Sequence, residues 1–346
     1  MSGKRGEYAK PERKYTHLKE RLLSPGRVIA LLVMFCLLLA AGALGLGFSA
    51  RFPALRRTLI ETFTVSRGTQ FLVRTFVPDQ GEVDGIMREG YYGKNLPVGY
   101  LPKLYADPSG FAPEAGEELY EIRGGTFVGR AVVIRDPARV RLFTSPYLGE
   151  HGLTLSDYHR RYGLLAAMNA GGYLDNDTLL GRGGVSAGPV ISGGKIICSW
   201  YDRAENVVGF DENNALVCAR LTVGEALGAG IRDAVSFCPA LVLQGRGQIE
   251  HGDGGCGYAP RSAIGQRADG AVIFVVLEGR RLSSIGATLR DVQDVLLALD
   301  AYTGCLMDGG SCSTLGFGGR RVSRCVDIFS ERPLPNVFGV AGEAEP

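Results

Sequence analysis

The most strongly hydrophobic part of the chain is an uncharged run from Val28 to Ala50, which lies between Arg27 and Arg51. About 20 apolar residues in a helix span the hydrocarbon core of a bilayer, so this run predicts a single transmembrane helix over residues 28–50. Eight Lys and Arg residues lie between residue 1 and the start of the run. Because positive charge stays on the cytoplasmic side, we expect residues 1–27 to form a basic cytoplasmic tail and the remainder of the chain to lie outside the cytoplasm.

A cleaved signal peptide is the alternative interpretation of the same run. Ala41-Gly42-Ala43 has the small-x-small pattern of a cleavage site. The long charged leader and the continuation of the apolar run past this site favour an uncleaved signal anchor. Under either interpretation the bulk of the protein is extracytoplasmic, and we expect a single-pass protein of the cell membrane.

Residues 51–125 show a weaker pattern. Between Leu55 and Met87, apolar positions such as Leu59 and Phe63 are interleaved with Arg and Thr at loosely helical spacing. This spacing predicts one or two short amphipathic helices near the membrane or against the main domain. Residues 91–117 contain four Pro and several Gly, which favours an irregular linker.

From about residue 126 onwards, short apolar runs alternate with Gly, Asp and Asn. The runs and their flanking caps predict strands and helices that mix without regular βαβ alternation. The predicted strands are Ala131–Ile134, Leu164–Met168, Val235–Leu243, Ala271–Leu277 and a last strand, Cys305–Met307; the predicted helices are Leu153–Tyr162, a short helix capped by Thr222 and Glu225, and Leu289–Leu299. We therefore expect an α+β domain over residues 126–346, built on a mixed β-sheet with short flanking helices.

Composition narrows the function classes. The formal net charge is only +2 over 346 residues, which argues against a nucleic-acid partner because such a protein needs a basic stripe. Seven of the eight Cys lie beyond the predicted membrane helix, and an oxidising compartment permits disulfides among them. No pair has CxxC spacing and only four His are present, which argues against a Cys/His zinc site.

Four clusters place polar residues and glycine directly beside predicted strands. They carry Asn169, Arg182, Arg261 with Glu278, and Asp308. Neighbouring glycines let the backbone turn tightly and approach a ligand, and an Arg fork suits a phosphate. A carboxylate at a strand end can act as general base, nucleophile or metal ligand. Each cluster taken alone also fits a plain turn, an exposed Arg or a structural ion pair between Glu278 and Arg261.

The order of these clusters is more specific than any one of them. The chain contains NAGGY at 169–173, PRSAIG at 260–265, LEGRR at 277–281 and LMDGGSCST at 306–314. Together they resemble the phosphodiester glycosidase family, over about residues 128–342. Residues 60–92 are similar to the juxtamembrane helices of membrane-bound bacterial members. The resemblance implies an α+β catalytic domain that hydrolyses the bond between a sugar C1 and a phosphodiester.

The resemblance also implies the site residues. Asp308 would be the principal catalytic carboxylate, and Glu278 either a second acid/base or a structural partner. Arg261 and Arg280 would bind phosphate, and Asn169 would bind sugar or phosphate oxygens. The residues expected to bind substrate are Asn169, Arg182, Arg261, Arg280, Gly309, Gly310 and Ser311; of these, Arg182 rests on its own residue pattern.

The chain departs from the family pattern at several positions. Gly172 stands where an aromatic is commoner, Glu278 where Asp is commoner, Met307 where Leu is usual, and Cys312 in place of Ser or Gly. Cys312 is expected to form a disulfide with Cys305 or Cys325, because these residues are close in sequence. We expect no required cofactor; Ca²⁺ held by Asp175, Asp177 or Asp308 is an option, although no loop has EF-hand spacing.

Two other function classes stay open at this point. A non-catalytic glycan-binding protein of the same fold, involved in exopolysaccharide assembly, would fit the departures from the family pattern. A serine hydrolase would use Ser186 in a GxSxG-like string, but no strand–turn–helix pattern surrounds it. For the glycosidase, the expected partners are a sugar-phosphate glycan of the cell envelope and the membrane itself; the sequence sets no oligomeric state.

Overall fold

The computed structural model describes residues 25–64, 69–90, 96–99, 108–111, 116–174, 182–199, 203–324 and 331–342. These residues form two compact units, one that ends at Arg56 and one that begins at Arg57. The helices are α1 (Pro25–Gly47), α2 (Pro53–Thr64), α3 (Gln70–Phe76), α4 (Gln80–Glu89), α5 (Leu155–Tyr162), α6 (Val223–Gly228) and α7 (Leu289–Ala298). Short 3-10 turns cover Pro108–Gly110, Pro137–Arg139 and Gly310–Cys312.

The strands are β1 (Glu117–Arg123), β2 (Val128–Ile134), β3 (Val140–Thr144), β4 (Leu164–Asn169), β5 (Tyr173–Leu174), β6 (Val185–Ser186), β7 (Val190–Ser192), β8 (Lys195–Cys198), β9 (Glu205–Asp211), β10 (Leu216–Leu221), β11 (Ile231–Ser236), β12 (Ala240–Leu243), β13 (Arg246–Gly247), β14 (Arg261–Arg267), β15 (Val272–Leu277), β16 (Ala301–Met307), β17 (Leu315–Phe317), β18 (Arg320–Arg321) and β19 (Asn336–Ala341).

Helix α1 contains the apolar run that the sequence predicts to cross a membrane. Its segment Val28–Gly47 is long and apolar enough to span a bilayer, and the side chains over residues 28–43 are exposed. A run of exposed apolar side chains is unfavourable in water, whereas it is favourable in hydrocarbon. The N-terminal helix therefore suits a membrane span or a signal anchor.

Three antiparallel sheets make up the main unit. The first has the strand order β1-β2-β15-β14-β16-β12-β13, the second β10-β9-β11-β7-β8, and the third β18-β17-β4-β19-β3; β5 and β6 form a separate two-stranded ribbon. The domain is therefore α+β, as the sequence predicts, and its strands form several sheets. The predicted domain boundary at residue 126 stays a prediction, although β1 lies before it and pairs with β2 along its whole length.

Alternation along β15 shows where the cores lie. Val272, Phe274 and Val276 face a core that the three sheets share, whereas Ile273, Val275 and Leu277 face a second core beneath helix α7. Both faces of the strand are buried, so the strand reads as a continuous apolar run. Helices α5 and α6 cover apolar faces of the third and second sheets in the same way.

Capping residues define the starts of the short helices. Thr154, Thr222 and Thr288 each form a capping box with the acidic residue three positions later. Helix α5 ends at Gly163, which adopts the left-handed conformation that glycine tolerates best. The starts of α6 and α7 agree with the sequence predictions, whereas α5 begins two residues after the predicted Leu153.

Some predicted elements are wrong in extent or position. Residues 235–243 form two strands of different sheets, β11 and β12, because the chain leaves the second sheet after Ser236 and enters the first at Ala240. Strand β16 is not the last strand, since β17, β18 and β19 follow it. Between residues 53 and 89 the described residues form three helices, α2, α3 and α4, where one or two amphipathic helices were predicted.

Candidate active site

The candidate catalytic residues meet because of the pairing in the first sheet. Strand β14 lies between β15 and β16 and is antiparallel to both. Arg261, the first residue of β14, pairs with Leu277, and Ser262 pairs with Met307. The start of β14 and the ends of β15 and β16 therefore share one sheet edge, which brings Glu278 and Asp308 to the same edge as Arg261.

The turn Asp308-Gly309-Gly310 places a carboxylate beside a cavity. The Asp308 amide donates to the Ala170 carbonyl (3.1 Å), and the Gly310 amide donates to the Pro260 carbonyl (2.9 Å). Gly310 has φ +64°, and a Cβ on Gly309 would lie 3.1 Å from the Pro260 oxygen, so the turn suits glycine at both positions. The cavity has a volume of about 120 Å³ and is lined by Phe237, Cys256, Ala259, Arg261, Arg280, Leu306, Asp308, Gly309 and Gly310.

Two guanidinium groups line this cavity together with Asp308. Arg261 is only 5% exposed; its Nε donates to the Ala287 carbonyl (3.1 Å), and its Nη2 donates to the carbonyls of Cys256 (3.0 Å) and Gly257 (2.9 Å). These carbonyls fix the position of the Arg261 guanidinium at the wall of the cavity. Arg280 is exposed, and its Nη1 donates to the Ser311 hydroxyl (3.2 Å).

Asn169 lies behind the cavity instead of lining it. Its Nδ2 donates to the Asp308 carbonyl (2.5 Å), and its Oδ1 accepts hydrogen bonds from the Ser262 hydroxyl (2.8 Å) and the Thr314 amide (3.0 Å). The side chain is 1% exposed. These bonds join β4, β14 and the Asp308 turn, so Asn169 fixes the position of the turn.

Glu278 lies at the same sheet edge, but its side chain lines a different cavity. That cavity has a volume of about 270 Å³ and includes Glu121, Arg123, Arg130 and Arg324. The Glu278 carboxylate pairs with Arg130 (3.1 Å) and accepts a hydrogen bond from the Arg324 amide (3.0 Å). The expected ion pair therefore forms with Arg130, while the Arg261 guanidinium bonds backbone carbonyls. Asp308 is the one acidic residue of the described chain that lines the cavity with Arg261.

The remaining predicted residues lie elsewhere or outside the described residues. Arg182 is exposed, and its carbonyl accepts a hydrogen bond from the Gly152 amide (2.7 Å); it does not line the Asp308 cavity. Asp175 and Asp177 fall outside the described residues. Within the described ranges, no group of three His, Cys, Asp or Glu side chains could hold a metal ion.

Three residues near Asp308 were not predicted as functional. The Arg332 Nε donates to the Tyr173 hydroxyl (2.6 Å), and its guanidinium lies 5.9 Å from the centre of the Tyr173 ring. The Cys312 sulfur lies 3.7 Å from the same hydroxyl. Burial, and then the neighbouring negative charge of the hydrogen-bonded Asp308 carboxylate, raise the pKa of the Cys312 thiol well above its usual range. Tyr173 and Arg332 are far apart in sequence, so only the fold reveals this network.

The expected disulfide between Cys312 and Cys305 is wrong. Cys312 and the other six described cysteines are free thiols. Cys305 points into the shared core, where its sulfur contacts the Pro239 carbonyl (3.2 Å). Cys312 instead lies beside Asp308 and Tyr173, because successive residues of β16 and its following turn face different sides of the sheet. Cys325, the other expected partner, lies outside the described residues.

Comparisons with known proteins show the family of the chain. A family model for phosphodiester glycosidases matches residues 162–341, just over half of the chain. The prophage-derived uncharacterized protein YomE of Bacillus subtilis is 27% identical over 201 residues, which cover 53% of this chain and 29% of that protein. The chain thus aligns with less than a third of the length of this curated relative.

A solved structure shows the same fold. The catalytic domain of zebrafish N-acetylglucosamine-1-phosphodiester alpha-N-acetylglucosaminidase superposes with a TM-score of 0.55 at 18% identity, covering 73% of this chain and 97% of that one. The matched family region contains Asn169, Arg261, Arg280 and Asp308. On the family match, the chain belongs to the phosphodiester glycosidase family.

Proposed function

We propose that this protein hydrolyses the bond between the anomeric carbon of a sugar and the oxygen of a phosphodiester. The observation that carries the proposal is the convergence of Asp308, Arg261 and Arg280 on one cavity at the edge of the first sheet. A carboxylate can stabilise the positive charge that develops at C1 of the sugar, and two cations can stabilise the phosphate that leaves from C1. The family match supports the same class of substrate.

In the proposed reaction, the C1–O bond breaks and its oxygen leaves with the phosphate. Asp308 stabilises the positive charge that develops at C1, and water supplies the hydroxyl of the released sugar. Arg261 and Arg280 neutralise the charge that accumulates on the departing phosphate. Phosphate is a good leaving group, so the reaction needs little protonation of the leaving oxygen. This agrees with a cavity in which Asp308 is the one described acidic residue.

We also propose that the protein acts on the extracytoplasmic side of the cell membrane. With α1 as a single-pass anchor, the basic segment before it is cytoplasmic and the main unit extracytoplasmic. A tethered enzyme on that side would act on a sugar-phosphate glycan of the cell envelope. The apolar span Val28–Gly47 supports the anchoring.

The test uses the full chain in detergent beside an Asp308→Asn variant. We expect release of N-acetylglucosamine from UDP-N-acetylglucosamine, a convenient surrogate for a sugar-1-phosphate diester, and at least about a hundredfold loss in the variant. Asp294→Asn is the matched control, because Asp294 is exposed on helix α7. Equal turnover in the Asp308→Asn variant would remove Asp308 from the centre of the reaction. No turnover by the folded parent on a panel of sugars would favour a glycan-binding protein of the same fold.

A further inference from the structure

The loop before Arg261 has positive φ values at four consecutive residues, and one of these residues is not glycine. Four consecutive residues, Gly254 to Gly257, have positive φ values of 89°, 66°, 121° and 53°, and the third of them is Cys256. A left-handed conformation is costly for a residue with a side chain, and such a segment persists only where its surroundings fix it. The conformation of Cys256 therefore needs support from the residues around the loop.

Helix α2 supplies that support. The Tyr258 amide donates to the Thr62 hydroxyl (3.2 Å), and the Cys256 amide bonds the Glu61 carboxylate. Glu61 is 1% exposed and pairs with Arg57 at 3.0 Å. A Cβ on Gly257 would lie 2.1 Å from the Thr62 hydroxyl oxygen, so helix and loop are in direct contact.

The same loop fixes the buried cation of the candidate active site. The carbonyls of Cys256 and Gly257 both accept hydrogen bonds from Arg261 Nη2. Cys256 also lines the cavity with Asp308 and Arg261. A continuous set of contacts therefore runs from Glu61 and Thr62, through the loop, to the Arg261 guanidinium.

We propose that Glu61 and Thr62 are positioning residues for the reaction, acting through residues 254–258 on Arg261. The inference rests on the proposed function in that Arg261 binds the substrate phosphate. It assigns a part in catalysis to a segment about one hundred residues before the start of the matched family region. The segment that follows the membrane helix is then a component of the active site and more than a spacer.

The first test is a double-mutant cycle in the full chain, with Thr62→Val and Arg261→Lys. Loss of one hydrogen bond to the loop should raise KM for UDP-N-acetylglucosamine about three- to tenfold and change kcat less, because phosphate binding is what Arg261 provides. In the Arg261→Lys background, Thr62→Val should have little further effect, since residues that act through one another are not additive. Thr62→Ser keeps the acceptor and should restore the parent KM.

The matched control is Thr75→Val. Thr75 is exposed on α3, and its hydroxyl bonds the Phe71 carbonyl of its own helix. We expect parent kinetics from this variant. Effects of Thr62→Val and Arg261→Lys that simply add, or a Thr62→Val enzyme with the parent KM, would overturn the inference.

A second measurement does not depend on turnover. Hydrogen exchange of the amides at 256–258 should become faster in Thr62→Val, while exchange in β14 and β16 stays as in the parent. If the parent hydrolyses no substrate, the proposed function fails, and exchange still decides whether α2 holds the loop. Unchanged exchange at 256–258 would overturn the positioning inference by itself.

Discussion

Asp308 and Glu278 follow the ends of neighbouring strands, yet their side chains enter different cavities. Asp308 faces Arg261 and Arg280, whereas Glu278 pairs with Arg130 of β2. The sequence places both carboxylates at strand ends, but it does not fix the direction of a side chain in the turn that follows a strand. The fold favours the structural part for Glu278, because its carboxylate pairs with Arg130, and acid/base catalysis by Glu278 stays a prediction to be tested.

The Glu278→Gln variant should distinguish a catalytic role of Glu278 from a structural one. We expect turnover of UDP-N-acetylglucosamine to stay within a few-fold of the parent, because the amide leaves the Asp308 cavity unchanged. We expect the free energy of unfolding to fall by about 1–3 kcal/mol, since Arg130 loses its charged and buried partner. Urea denaturation measures the second quantity.

The matched control for this variant is Glu121→Gln, which removes the other carboxylate near Arg130. Glu121 is largely exposed and lies 3.6 Å from Arg130, so its loss should change stability by about 0–1 kcal/mol. A large loss of turnover in Glu278→Gln, with stability unchanged, would show that Glu278 takes part in catalysis.

His159 predicts how stability responds to acid. Burial lowers the pKa of this imidazole below its ordinary value of 6.5. Its Nδ1 lies 2.7 Å from the Leu164 carbonyl, and its buried Nε2 has no hydrogen-bond partner among the described residues. The unfolded chain therefore binds a proton at a higher pH than the folded protein does.

Because the unfolded state takes up this proton first, the free energy of unfolding should fall as pH drops below about 6.5. Above that pH the contribution is constant. His159→Asn keeps a donor near the Leu164 carbonyl and should flatten this part of the stability–pH curve in urea titrations. His151→Asn, at an exposed position, should leave the curve as in the parent; equal slopes in His159→Asn and the parent would contradict the prediction.

At the scale of the element, the turn after β16 links backbone geometry to the site. Gly310 has φ +64°, and a Cβ there would lie 3.2 Å from the Arg280 guanidinium. Gly318 has φ +62° with open space around it. The two positions have the same backbone cost for alanine, but they differ in what the methyl group would contact.

We expect Gly310→Ala and Gly318→Ala to destabilise the fold by a similar amount, about 1 kcal/mol each. Only Gly310→Ala should also reduce kcat/KM, by roughly tenfold, because it displaces Arg280 from the phosphate. Thermal unfolding and steady-state kinetics on both variants give the comparison. A parallel loss of activity in Gly318→Ala would show that strain alone is responsible.

Much of the element level could be predicted from sequence. Capping boxes at Thr154, Thr222 and Thr288 and the apolar run of β15 are local signals, and the structure agrees with them. The pairing of β14 between β15 and β16 is non-local, and so is the contact between Tyr173 and Arg332. Local propensity carries no information on such contacts, which is why the network beside Asp308 was missed.

At the scale of the whole molecule, metal dependence is open to direct test. The cavity residues that we propose for catalysis include two arginines, which supply positive charge where some phosphate-handling enzymes use a cation. We expect turnover of UDP-N-acetylglucosamine to be unchanged after treatment with EDTA. Loss of activity that Ca²⁺ restores would instead place a metal near Asp175, Asp177 and Asp308.

The family assignment and the α+β class were within reach of the sequence, because four short strings keep the family's order. The contact of helix α2 with the loop at residues 254–258 was not. Residues from Arg57 onwards belong to the compact unit that holds the cavity, and helix α2 contacts its wall. Those contacts are made by Glu61 and Thr62. Polar side chains of this kind also occur on amphipathic helices that serve only as spacers, so the sequence does not reveal the contact.

The position of β19 has a consequence for how the protein folds during its synthesis. This strand lies between β3 and β4, and the Asn336 side chain accepts a hydrogen bond from the Gly171 amide (2.8 Å), two residues beyond Asn169. A ribosome delivers β19 after nearly every other described residue. Until then, β3 and β4 lack their shared neighbour, and the Asn169 support of the Asp308 turn is incomplete. The nascent chain should therefore remain inactive until β19 has been synthesised and has paired with β3 and β4, and pairing partners so far apart in sequence should make its folding slow.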